Sequence, residues 1–84
     1  MKVTHQFTMH CKCPVDDRLD YYEAQVETDQ LVKVEDILKA AAQYSTQAMY
    51  QEDLTRGLSE AIQCQVTTIG MHSGVRTTVS FPRR

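Results

Sequence analysis

The sequence predicts an α+β fold: a four-stranded antiparallel sheet with two helices on one face, in the order strand, strand, helix, helix, strand, strand. Three observations carry this reading. The beginning and end of the chain repeat at two residues or are rich in β-branched residues, the signature of half-buried strands. Between them the apolar period lengthens to helical spacing. Polar or Gly/Pro-containing breaks separate the segments at Pro14 to Arg18, at Thr28-Asp29-Gln30 and at His72-Ser73-Gly74.

The elements follow in order. Val3, His5, Phe7, Met9 and Cys11 alternate with Lys2, Thr4, Gln6, Thr8 and His10, a strand with one buried face. Pro14 stops it, and Asp16-Asp17-Arg18 reads as a turn. Tyr21 to Thr28 is the second strand, with Tyr22, Ala24 and Val26 inward and Glu23, Gln25 and Glu27 outward; it pairs antiparallel with the first. From about Val34 the residues Val34, Ile37, Leu38, Ala41 and Ala42 recur at helical spacing, with Glu35 and Asp36 in the first turn, where carboxylates favour the helix dipole. Tyr44 to Tyr50 fits neither period and can hold a bend. A second helix is expected from Glu52 to Ile62, its apolar face marked by Leu54, Leu58, Ala61 and Ile62 and weakened at Gly57. Gln65 to Ile69 and Val75 to Phe81 are the closing strands, joined by the turn at His72-Ser73-Gly74.

The 84 residues suit one domain, 1–84, whose own core is small enough that assembly into an oligomer is expected. The uncovered sheet face and the sheet edges point the same way. A net charge of −2, without a like-charge block, argues against a direct grip on nucleic acid by one subunit, and Arg83-Arg84 is too short for a basic arm. No apolar run approaches a membrane span. Met1 to Met9 lacks a signal-peptide core, so residence in the cytoplasm, with thiols reduced, is the expectation. Three cysteines do not make a disulfide framework and leave at least one free thiol.

The chemistry-bearing residues start at Cys11-Lys12-Cys13-Pro14, where a strand runs into a turn and a thiol can be partly exposed. Asp20 lies seven residues beyond Cys13, and a hairpin brings the two together, so that a carboxyl group can move a proton for an attacking sulfur. Glu52-Asp53 stands at the junction of the helical segments, where a carboxylate can accept paired N–H donors from a purine-like edge. Each residue also has a plainer use. The cysteines can pack as small apolar groups, Asp20 can cap a turn, and Glu52 can satisfy a helix start. A zinc set drawn from His10, Cys11 and Cys13 with His5, Cys64 or His72 lacks two well-spaced ligand pairs, and no metal is expected.

Taken together, these residues resemble the 7-cyano-7-deazaguanine (preQ0) reductase family and its archaeosine-forming relative. The likeness starts at Cys13-Pro14-Val15-Asp16-Asp17-Arg18-Leu19-Asp20, where that family has a Cys-Pro and then an aspartate at the same separation. It continues through Tyr21-Tyr22-Glu23-Ala24-Gln25-Val26, Met49-Tyr50-Gln51-Glu52-Asp53-Leu54, and Gln65-Val66-Thr67 to Gly74-Val75. Each motif is short; the strength lies in their order.

The resemblance implies a tunnelling fold, with sheets of several subunits joined into a barrel, paired pentameric rings making a decamer, and sites between subunits. It implies Cys13 as the nucleophile that captures a nitrile as a thioimide, Asp20 as the proton carrier, and Glu52, with Gln51 and His72, as residues that bind the base. Gln51 stands where the family usually has histidine, and His72-Ser73 stands where the reductases have a basic residue. Val34-Glu35-Asp36-Ile37-Leu38-Lys39 occupies the place of the reductases' Glu-Ser-Lys-Ser-Leu-Lys cofactor stretch. The chain is therefore more similar to the amidinotransferase, which needs no nicotinamide cofactor. Its expected partner is a 7-deazapurine, free or carried in tRNA or DNA. The alternatives are an NADPH-dependent reductase, a non-catalytic purine- or pterin-binding module, and a pterin-metabolising tunnelling-fold enzyme.

Overall fold

A computed structural model describes residues 1–82; Arg83-Arg84 lies outside the described residues. Strands β1 (Val3–Lys12) and β2 (Leu19–Thr28), helices α1 (Val34–Ala42) and α2 (Gln51–Ile62), and strands β3 (Gln65–His72) and β4 (Val75–Phe81) follow in chain order. The sheet order is β1-β2-β3-β4, antiparallel at every pairing. This is the predicted α+β plan. The two ten-residue strands of the first hairpin would each span about 33 Å at ordinary strand rise, which accounts for most of the 40 Å long axis.

The two-residue period has its expected physical cause. Met9 and Cys11 of β1, Tyr22, Ala24 and Val26 of β2, and Val66 of β3 face the helices and are buried, together with Ile37 and Ala41 of α1 and Leu54 and Leu58 of α2. Each fully buried Leu, Ile or Val contributes about 1.5–3 kcal/mol through removal from water. Helix α2 packs on β3 and β4, and α1 packs on α2 and β1. Among the described residues nothing covers the opposite sheet face, which carries exposed Tyr21 and Met71.

The helix faces depart from the expectation. In α1, Val34 and Leu38 are half exposed, and only Ile37 and Ala41 are buried. In α2, Ala61 is exposed, while Gln51, Thr55 and Ser59 are buried beside Leu54 and Leu58. The inward stripe of α2 therefore alternates apolar and polar residues at positions three and four apart, and the polar ones find partners on the strands or, for Ser59, at Cys64 in the connection before β3. Gly57 has a packing reason: a Cβ there would stand 2.8 Å from the hydroxyl of Tyr44.

Two connections set the site. Strand β3 runs three residues past Ile69 to His72, because Ser73 and Gly74 turn the chain with φ of 51° and 83°, the paired positive values of a type I′ hairpin turn. His72 is thus the last residue of a strand, not part of the turn. The segment before α2 docks on the end of β1: the Lys12 amide donates to Gln47 at 2.8 Å, and the Met49 amide donates to Lys12 at 3.0 Å. That contact brings the first turn of α2 beside the turn that holds Cys13.

Candidate functional site

Cys13 leaves the end of β1 and closes the hairpin loop. Its amide donates to the Arg18 carbonyl at 2.7 Å, and its carbonyl accepts from Asp17 at 2.9 Å. Asp16 shapes the loop as an Asx turn, with Oδ1 accepting the Arg18 amide at 3.1 Å. That bond, reinforced by a contact with the Cys13 thiol, holds the Asp16 carboxyl below its ordinary range. Asp17 takes φ of 61°, a left-handed conformation that aspartate tolerates.

The structure separates the cysteines. Cys11 is fully buried, and its thiol donates to the Met49 carbonyl at 3.5 Å. Burial pushes the Cys11 thiol up, and the Asp20 carboxylate adds to that push, which keeps this sulfur protonated and inert. Cys13 is half-buried at the cavity described below. Cys64 lies at the far end of the sheet, with its thiol donating to Ile62 at 3.3 Å.

Asp20 stands opposite Cys11 in the β1–β2 register, one position into the strand that returns from the Cys13 loop. The Tyr22 hydroxyl donates to Asp20 Oδ2 at 3.4 Å. Burial pushes the Tyr22 phenol far above the ordinary tyrosine range, and the Asp20 carboxylate raises it further, so Tyr22 remains a donor to Asp20. The Tyr22 ring lies 5.9 Å from the ring of His72.

Gln51 opens α2 and is 2% exposed. Its amide nitrogen donates to the carbonyls of Thr68 at 3.2 Å and Thr77 at 3.0 Å, and to the Thr68 hydroxyl at 3.1 Å. Its amide oxygen is 2.8 Å from His72 Nε2. Both ends of this amide are therefore committed to protein. Glu52 follows it, exposed in the first turn of the helix, where the dipole favours a carboxylate.

Cys13, Asp20, Gln51, Glu52 and His72 all line one cavity of about 270 Å³, walled also by Tyr22 and Tyr50. The five residues singled out in the sequence, spread over 60 positions of chain, meet there. A larger hollow at the far end of the sheet and an open depression on the uncovered face contain neither Cys13 nor Glu52. His5, His10 and Cys64 lie away from the cavity, and among the described residues no three His, Cys, Asp or Glu side chains group as a metal-binding set. No described helix is long and apolar enough to cross a membrane. Pro14, Val15 and Met49 also line the cavity. Sequence reasoning missed the docking of residues 47–49 on β1, which no local periodicity signals.

The polar stripe of α2 closes into a ring. The Thr55 hydroxyl donates to the Gln51 backbone carbonyl at 2.7 Å, which leaves Thr68 as the donor in the 2.6 Å contact between the two threonine hydroxyls. Thr68 in turn accepts from the Gln51 amide. Thr55→Val keeps the shape and breaks this ring, leaving the Thr68 hydroxyl without an acceptor. A loss of about 1–3 kcal/mol is expected, read as a lower urea midpoint with an unchanged slope.

No protein-family model matches the chain, and no curated protein does. A structural match is found to the crystal structure of the archaeosine synthase QueF-Like in the apo form, with a TM-score of 0.82 and 21% sequence identity, over 94% of this chain and 89% of that one. Sequence and structure agree on the architecture expected from the resemblance: the chain has the tunnelling-fold subunit plan shared with that archaeosine synthase.

Proposed function

We propose that the protein is a nitrile-processing enzyme of 7-deazaguanine metabolism that captures preQ0, or the same base carried in nucleic acid, on Cys13 and releases it as an amidine. The observation that carries this reading is the convergence of a half-exposed thiol, a neighbouring carboxyl group and a helix-start carboxylate on one small cavity.

The chemistry balances without a redox partner. Asp20 takes the Cys13 thiol proton as the sulfur adds to the nitrile carbon, and hands it to the nitrile nitrogen, giving a thioimide. An ammonia-class nucleophile then adds to that carbon. The C–S bond breaks, its electron pair returns to sulfur, and a proton from the added nitrogen restores the thiol. Glu52 accepts the ring N–H and exocyclic amine of the base. The cavity is near the lower end of ligand-site volumes, which agrees with a second subunit supplying another wall. Edge strands β1, paired on its outer side only at Lys12, and β4, unpaired on its outer side among the described residues, suit the joining of sheets into a barrel.

Incubation with preQ0 is expected to add the ligand's full mass to the intact protein. The adduct is expected to persist in Cys11→Ala and Cys64→Ala and to vanish in Cys13→Ala. Reversible binding with no adduct would favour a non-catalytic purine-binding module, and NADPH oxidation with preQ0 would favour a reductase. Either result sinks the amidine reading.

A further inference from the structure

Gln51 does more than fill space. An amide oxygen in place of its nitrogen would face the carbonyl oxygens of Thr68 and Thr77, two acceptors, at about the same distances, so the orientation of the amide is set by its partners. The other end of the amide is therefore an acceptor, and the 2.8 Å contact to His72 Nε2 requires that nitrogen to carry the proton. The amide cannot rotate to relieve this demand. It is 2% exposed, and the Thr55–Thr68 hydroxyl ring braces it from the helix side. His72 Nδ1 has no hydrogen-bond partner among the described residues, and the ring lines the Cys13 cavity.

We propose that Gln51 is a positioning residue that locks His72 in its Nε2–H tautomer and leaves the Nδ1 lone pair as the acceptor offered to the Cys13 cavity. The tautomer follows from the protein alone. Its use in catalysis rests on the proposed reaction: Nδ1 accepts the proton shed by the attacking nitrogen and returns it to the departing sulfur. Gln51 then acts through His72 and not by touching the base.

Two-bond ¹H–¹⁵N correlation spectra of the ligand-free protein, with His72 assigned by His72→Gln, test the lock. The neutral wild-type ring is expected to show a protonated Nε2 and an unprotonated Nδ1. Its Nε2–H should exchange with water about tenfold or more slowly than the ring protons of His5 and His10, because a buried acceptor protects it. Gln51→Met should abolish that protection and mix the tautomers. A wild-type Nδ1–H ring, or an Nε2–H that exchanges as fast as those of the other histidines, overturns the proposal even if Gln51→Met fails to fold. No ligand enters these spectra, so a missing preQ0 adduct sinks the reaction and leaves the lock intact, while a wrong tautomer sinks the lock and leaves the adduct intact.

Discussion

Asp20→Asn is expected to slow the appearance of the Cys13–preQ0 adduct by about 10²–10⁴-fold, the usual contribution of a positioned acid–base group, while leaving the final adduct mass and the melting temperature near wild type. The asparagine keeps the shape of the side chain and can accept the Tyr22 hydroxyl that Asp20 now accepts at 3.4 Å. What it loses is the ability to take a proton from one atom and give it to another. Thioimide formation needs that movement, because the proton leaves sulfur and ends on the nitrile nitrogen. The slowing corresponds to about 2.7–5.4 kcal/mol in the barrier at 1.36 kcal/mol per factor of ten. The structural role of Asp20 is the smaller one. It is half-buried at the start of β2, with one long hydrogen bond, so exchanging it for its amide should cost little stability. Time-resolved intact-mass measurements read the rate directly. A rate within threefold of wild type would show that solvent supplies the proton and would remove Asp20 from the mechanism.

The pairing of Cys13 and Asp20 was legible in the chain because a hairpin joins them. Once Pro14 to Arg18 is read as the turn, antiparallel pairing returns Asp20 to the level of Cys11, and the two-residue period puts its side chain on the same face. Strands β1 and β2 were legible for a related reason: one face is buried and the other wet, so hydropathy alternates, and β4 repeats this in weaker form, with Thr77, Val79 and Phe81 half-buried. The approach of Glu52 to that pair has no such local cause. It depends on residues 47–49 binding the backbone of Lys12, a contact made through main-chain atoms that any sequence could supply.

The face of α2 was misread for a different reason. Gln51, Thr55 and Ser59 look like solvent residues on a hydropathy scale, and Ala61 looks like core. Burying the polar residues costs little only because Thr68, Thr77 and Cys64 offer them hydrogen-bond partners. Those partners lie on β3 and β4 or the connection before them, so the rule that decides the face is tertiary. The same network ties His72, which the sequence reading placed in a turn, to Gln51 at the end of β3. A strand that ended at Ile69 would not reach Gln51, and the type I′ turn at Ser73-Gly74 is what lets β3 continue.

Gly70→Ala is expected to be the most damaging small substitution in the sheet, lowering stability by about 1–3 kcal/mol as an overpacked core position, or about 4–8 °C in melting temperature for each kcal/mol in a domain of this size. Gly70 sits directly opposite Tyr22 in the β2–β3 register, and the Tyr22 ring lies across it. A Cβ at Gly70 would collide with the Cδ1 and Cε1 atoms of that ring. Tyr22 is 2% exposed within the core, so its ring can yield only by moving into the Cys13 cavity that it walls. Displacing it would also pull the hydroxyl from Asp20 and shift the ring that stands 5.9 Å from His72. Stability and adduct formation should therefore fall together in this variant, unlike Asp20→Asn, where only the rate falls. Gly57→Ala and Gly74→Ala separate the causes. The first meets the far end of the Tyr44 side chain at 2.8 Å, and the second meets nothing within 4 Å but takes φ of +83°. Both should melt closer to wild type than Gly70→Ala, compared at matched protein concentration because an assembling protein melts with a concentration dependence. A Gly70→Ala protein as stable as Gly74→Ala would mean that Tyr22 repacks freely, and the rigid floor beneath Asp20 and His72 would have to be abandoned.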